Sequence, residues 1–423
     1  MTTASAASGS AAFELYPPQG RGGLDPRHPG QFADRLARFR RAYLAQPDSR
    51  PLGSLQILDL GRIKARLGRR WGELFPKVLL NVEGCIAHRL GPDELYLVVD
   101  DTTVWILALG ERRADVDRRG QLIAADITER LLGVLPGGCA VGVRTLPFDF
   151  DEGLRVVAGI RGLSERVRAQ TRRLAEAEAQ AFARHAHELS VFFRPILSLK
   201  TATIVGYRIF ARLPGPGGVL LRPEAACPDK ALGSFDVALD SWLAGRIAEQ
   251  LARPAATSER SLLVLPVHFD TLADRTRREE WLMRLNGALP GTARRLAVEI
   301  LDLPPGTPRA SITDLGKEIE SRAGHLLLRC PAEAALVREV AGPPVRALSV
   351  HAGDLDPADA ADANGLANFV RGCREAGLRS LAVQVGSAAQ ARRIRAAGFD
   401  YLAGDACLPP LRAPGRVVGL RTG

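Results

Sequence analysis

Between Val191 and Leu213 the chain reads VFFRPILSLKTATIVGYRIFARL. Two runs rich in β-branched and aromatic residues flank a polar turn at Lys200-Thr201. That is the pattern of a hairpin, with Phe192, Ile196, Ile204 and Val205 at buried positions. Alone it fits any hairpin. The following text narrows it, because residues 190–412 alternate strand and helix signals as a (β/α)8-type barrel does. In such barrels the chemistry sits at the C-terminal strand ends.

A chain of 423 residues has room for two or three domains. No apolar run approaches the ~18–20 residues of a membrane span. The polar N-terminus MTTASAASGSAAF lacks the basic-then-apolar order of a secretory signal, so a cytoplasmic location is expected. The six cysteines are scattered without a Cys-x-x-Cys pair, which argues against zinc and against a disulfide framework. His185 and His187, two apart on a predicted helix, face different ways and make a poor metal pair. The net charge of +10 is carried almost wholly by arginines spread along the chain, and aromatics are only 5%. A nucleic-acid partner, which wants clustered charge with aromatics among it, is therefore not expected.

The hairpin's wording goes further. Phe193-Arg194-Pro195-Ile196, Leu199-Lys200-Thr201 and Ile204-Val205-Gly206-Tyr207 resemble the opening of the EAL domain family, the cyclic di-GMP phosphodiesterases. Gly377-Leu378-Arg379, Gln390, the run Ala397 to Gly404 and Pro409-Pro410-Leu411 follow that family's ending. The resemblance implies a two-metal hydrolysis, with carboxylates and an amide holding Mg²⁺ or Mn²⁺. Those positions are mostly altered here. The Glu of the EAL motif is Arg208, and the metal-binding Asn falls on Pro266. The two acids of Asp-Asp-Phe-Gly are Arg329 and Cys330, and the catalytic Lys is Ser349. Ala382-Val383-Gln384-Val385-Gly386 has lost both acids of its motif, and the last strand's Gln is Ala403. Only Glu299 stays. One carboxylate beside two arginines does not hold a pair of divalent ions, so no catalytic residue, metal or cofactor is expected.

The chain before the hairpin has a second resemblance. Leu55 to Leu60 is a predicted strand ending in Asp59, followed by Gly61-Arg62-Ile63-Lys64. This resembles the Asp-Leu-Asp-x-Phe-Lys segment of GGDEF (diguanylate cyclase) domains. A helical pattern over Leu74, Val78, Leu79, Val82 and Ile86 precedes strand signals at Glu94–Val99 and Val104–Leu109. Gly91-Pro92-Asp93-Glu94-Leu95 looks like a worn signature, but it starts only 32 residues after Asp59, before the hairpin. The signature turn belongs inside the hairpin, at Asp100-Asp101-Thr102-Thr103, where both glycines and the Asp-Glu pair are missing. Cyclase activity is not expected.

The resulting fold class is α/β: an EAL-type (β/α)8 TIM-like barrel with an N-terminal α/β GGDEF-like domain. Residues 1–50 are read as a disordered lead-in plus a short amphipathic helix, Gln31 to Ala45, with Phe32, Leu36, Phe39, Tyr43 and Leu44 on its apolar side. Residues 51–150 form the GGDEF-like domain, 151–189 a linker helix, 190–412 the barrel and 413–423 a tail. The linker carries heptad spacing at Ile160, Val167, Leu174 and Ala181, with Leu163, Gln170 and Ala177 between them. Its seam packs on its own domains or pairs in a homodimer, the first being preferred. The expected function is that of a catalytically inactive adaptor or regulator, working through protein contacts in a cyclic di-GMP-related network. The alternative is a metal-independent cyclic di-GMP receptor using Arg208 and Arg329; residual phosphodiesterase activity is a further reading. Arg208, Glu299 and Arg329 are the vestigial-site residues, with pairing of both arginines to an acid such as Glu299 preferred over a phosphate clamp.

Overall fold

The computed structural model describes residues 18–25, 27–45, 54–109, 113–133, 141–148, 160–228, 230, 232–251, 261–286, 295–304, 307–354 and 360–415. The chain divides into two compact units, Met1–Glu176 with Pro304–Pro308, and Ala177–Leu303 with Arg309–Gly423.

The first unit contains α1 (Pro29–Leu44), β1 (Ser54–Asp59), α2 (Gly61–Leu67), α3 (Trp71–Arg89), β2 (Leu95–Val98), β3 (Thr103–Ala108), α4 (Arg113–Leu132) and β4 (Gly142–Pro147). Its sheet runs β2-β3-β1-β4 and is antiparallel throughout. The helical pattern of α3 is realised as read, with Val78, Leu79, Val82 and Ile86 buried. In α1, Phe32, Leu36 and Phe39 are buried but Leu44 is exposed, so the apolar stripe ends a turn early. The β2–β3 turn is closed by Asp100, whose Oδ1 accepts from the amide (2.8 Å) and hydroxyl (2.9 Å) of Thr102. Such side-chain-to-backbone bonding is why Asp serves in turns.

Residues 18–25 correct the expectation of a disordered lead-in. Gly23 pairs with Tyr96 as a parallel bridge at the outer strand β2, and Leu24 is fully buried. Leu24 N donates to Tyr96 O (2.8 Å) and Tyr96 N to Gly22 O (3.0 Å). A Cβ on Gly20 or Gly23 would meet the Tyr96 hydroxyl at 2.6 or 2.9 Å. The small residues that suggest disorder by composition are here what lets the backbone lie against a ring.

The helix α5 (Ile160–His185) carries the chain from one unit into the other; the start of the expected linker, 151–159, lies outside the described residues. Of its heptad positions Leu163, Val167 and Ala181 are buried, Leu174 is half-buried and Ala177 exposed.

The second unit alternates as predicted: β5 (Ser190–Ser198), β6 (Thr203–Pro214), β7 (Leu220–Leu221), α6 (Ser234–Leu251), β8 (Leu262–His268), α7 (Phe269–Ala273), α8 (Arg275–Asn286), β9 (Leu296–Leu301), α9 (Arg309–Glu320), β10 (His325–Arg329), α10 (Ala334–Val340), β11 (Val345–His351), α11 (Ala360–Glu375), β12 (Arg379–Val383), α12 (Ala388–Ala397) and β13 (Tyr401–Ala403). Strands β6, β8, β9, β10, β11, β12 and β13 are neighbours in that order and parallel. Strand β5 runs antiparallel to both β13 and β6 and closes the ring at eight strands. Inside it, Ile196, Val264, Ala297, Leu327, Ala347, Leu381, Val383 and Ala403 pack together. Because side chains alternate along a strand, Glu299, Arg329 and Ser349 share the inward-facing track two residues beyond Ala297, Leu327 and Ala347.

Candidate functional site

The residues two steps beyond that apolar plug are polar, and they converge on one carboxylate. Glu299, fully buried, accepts from Arg208 Nε at Oε2 (2.6 Å), and at Oε1 from Arg329 Nη2 (3.0 Å) and Ser349 Oγ (2.6 Å). Strand register explains the meeting. Glu299 lies across from Pro266 on one side and Leu327 on the other, and Arg329 lies across from Ser349. All three residues singled out from sequence are thus together, each arginine paired with the acid. Ser349 joins them through its hydroxyl.

Electrostatics follow from this packing. Burial pushes the Glu299 carboxyl up, but the charges of Arg208 and Arg329, with hydrogen bonds from Ser349 and Arg208, outweigh it and hold the carboxyl at about 2. Burial also pulls Arg208 down against the attraction of Glu299. A guanidinium starts so far above neutrality that it stays charged. The residues at the expected metal positions do not fit a divalent pair: a cation fills one and a proline another. Among the described residues no group of three or more His, Cys, Asp or Glu side chains is placed to hold a metal ion.

Several groups at the mouth had no sequence signal as site residues. Arg194 and Arg208 stand directly opposite across β5–β6, an unfavourable pairing of like charges unless each finds an acid. Arg194 turns instead to Asp405 (2.8 and 3.0 Å) and lies over the Phe210 ring at 4.6 Å. Arg212 covers the same ring at 4.4 Å. Its guanidinium donates to the Ala211 carbonyl (3.0 Å), and no carboxylate pairs with it among the described residues. Burial, with Arg194 and Arg222 nearby, pushes Arg212 down to about 10. Arg222 reaches Gln384 Oε1 (2.7 Å). A cavity of about 260 Å³ opens here, with Arg208, Arg212, Arg222, His268, Arg329 and Gln384 in its wall.

The histidine belongs to a second buried network. His268 Nδ1 is 3.0 Å from Asp240 Oδ1, while Asp240 Oδ2 accepts from His268 N (2.8 Å) and Thr271 Oγ1 (2.6 Å). Its Nε2 is 3.8 Å from Asp236 and 3.9 Å from Asp302. Burial pulls the imidazole down, but Asp240, through charge and hydrogen bond, with Asp236 and Asp302, pushes it up to about 9. Burial raises Asp236 despite His268 and Lys230, the latter at 2.5 Å. Two residues at strand ends, Asp302 and Gln384, have φ of 53° and 57°, a strained region for side-chain-bearing residues.

The ring thus combines a closed strand order, one antiparallel member and an inward polar layer at the C-terminal strand ends. The barrel has the EAL-type fold. The Vibrio cholerae LapD S helix-GGDEF-EAL structure, bound to c-di-GMP, matches with TM-score 0.57 and 11% identity, over 93% of this chain and 97% of that one. The PaMucR phosphodiesterase in its c-di-GMP complex matches at TM-score 0.45 and 16% identity, over 56% of this chain and 97% of that one. The Xanthomonas citri FimX EAL domain in complex with c-diGMP matches at TM-score 0.43 and 18% identity, over 60% and 98%. No family model matches the sequence, and no curated protein does.

Proposed function

We propose that this chain is a catalytically inactive GGDEF–EAL-type protein, acting through protein contacts as an adaptor or regulator in a cyclic di-GMP-related network. The observation that carries this reading is the pairing of both arginines to Glu299 where the family's chemistry wants metal-binding carboxylates. Exposed Val219 and Leu220, at the hairpin that follows β6, offer an apolar edge for a partner. The GGDEF-like reading of the first unit is supported by the end of β1: Asp59 lies across from Thr103, and Leu60 N donates to Thr102 O (2.7 Å). The acids there are otherwise engaged. Asp59 Oδ1 accepts from Gly61 N (2.7 Å), and Asp101 Oδ2 from Lys64 (2.7 Å) and Trp71 (3.0 Å).

A second reading, metal-independent binding of cyclic di-GMP, is favoured by Arg212, which faces the cavity without a carboxylate. Calorimetric titration of cyclic di-GMP into wild type and Arg212→Ala, with and without Mg²⁺, separates the two. The adaptor reading expects no heat and no linear dinucleotide product. Metal-independent heat that vanishes in Arg212→Ala would replace it with the receptor, and turnover would overturn both.

A further inference from the structure

Away from the barrel mouth, a groove of about 710 Å³ runs along α10 and α11. Its floor is made of small residues: Ala334 and Ala341 on one side, Gly372 and Ala376 on the other, with Gly342 beyond. Gly372 sits against Val337, its added Cβ only 3.7 Å from that side chain, so the two helices approach closely there. Three exposed arginines line the groove: Arg338 on α10, Arg371 on α11, and Arg309 at the start of α9. The Arg309 guanidinium lies on the bare backbone of Gly342, where any Cβ would meet it. Among the described residues none of the three makes an ion pair or side-chain hydrogen bond, although Glu375 stands four residues from Arg371 on the same helix. Elsewhere in this unit, arginines such as Arg194, Arg208, Arg278 and Arg379 each hold an acid.

We propose that this groove is a docking site for an acidic, Asp/Glu-rich segment of a partner protein. Three unengaged guanidinium forks around a floor of small residues suit an extended backbone that carries carboxylates, which arginine grips bidentately. Among the described residues the lining holds no aromatic ring, so a nucleic acid would find phosphate contacts but no stacking platform. The inference stands independently of how the barrel mouth is read.

The test is fluorescence anisotropy with a labelled octaglutamate peptide at low salt. Three proteins are compared: wild type, the triple variant Arg309→Glu/Arg338→Glu/Arg371→Glu, and a control triple, Arg322→Glu/Arg392→Glu/Arg395→Glu, with the same change in net charge at other exposed positions. Wild type should bind saturably. Loss of three carboxylate pairings should weaken the groove variant about ten- to a hundredfold, and the control about twofold or less. Far-UV circular dichroism and a thermal melt that match wild type show that both triples are folded. Absence of saturable binding to wild type, equal weakening in both triples, or stronger competition from an oligothymidylate of the same charge would each overturn the proposal.

Discussion

Glu299 is the residue on which the barrel's interior polarity rests. A buried carboxylate that accepts from two guanidinium groups and a hydroxyl is stable only while its donors remain, and each donor only while the carboxylate does. Glu299→Leu leaves two arginines facing apolar surroundings, with an expected loss of about 3–5 kcal/mol in a denaturant melt. Arg208→Met with Glu299→Leu together should cost less than the sum of the single changes, and a double-mutant cycle measures that coupling. His268 yields a pH prediction. Its folded value of about 9 lies above the unfolded value of about 6.5, so its contribution is whole below pH 6.5. That contribution declines as the pH rises and is gone above about 9, amounting to about 3 kcal/mol. His268→Gln should flatten stability against pH over that window in chemical denaturation; an unchanged slope would mean the charge is not held by Asp240.

At the scale of elements, helix ends and sheet edges show how the parts are tied. Glu178, buried on α5, accepts from Leu232 N and Ser234 N, both at 2.8 Å, at the first turn of α6. Ser234 N, at the first position of α6, is among the amides a helix leaves without partners, and a carboxylate there also meets the positive end of its dipole. Phe182, one turn on, meets Phe235 edge-on at 5.5 Å. Glu178→Ala should lower stability by about 1–2 kcal/mol and speed hydrogen exchange at Leu232 and Ser234 before the rest of α6. Leu24→Ala should cost about 2–4 kcal/mol although it lies outside regular secondary structure, since it empties a fully buried position. Legibility followed the same physics. Strand and helix signals of the barrel were readable because period-two and 3.6 patterns are local, and the losses at Arg208, Arg329 and Ser349 because they sit in recognisable text. Arg194, Arg212, Asp240 and His268 were not readable, since strand register and ring closure bring them to one mouth and no spacing along the chain records it. The arm over Tyr96 is not legible in the sequence for a related reason: composition describes what a segment can do alone, and Leu24 is buried only once β2 exists.

For the whole molecule, among the described residues no helix is long and apolar enough to cross a membrane. Among the described residues, the half-buried Leu174 and exposed Ala177 offer little apolar area along the α5 seam to a second copy. Sedimentation at micromolar concentration is expected to give a monomer; a dimer abolished by Leu174→Lys would show that the heptads pair between chains. The triad at Glu299 also constrains what lies one substitution away. Exchanging Arg208 for Glu would set a second carboxylate beside Glu299, with Arg329 and the facing Arg194 as the neighbouring cations. Either carboxyl would have to take up a proton, or the layer would open, and Pro266 and Cys330 would still supply no side-chain oxygen for a metal. The neighbouring sequences thus form a basin around the pairing of Glu299 with its two arginines, and drift within it rearranges salt links rather than assembling a metal centre.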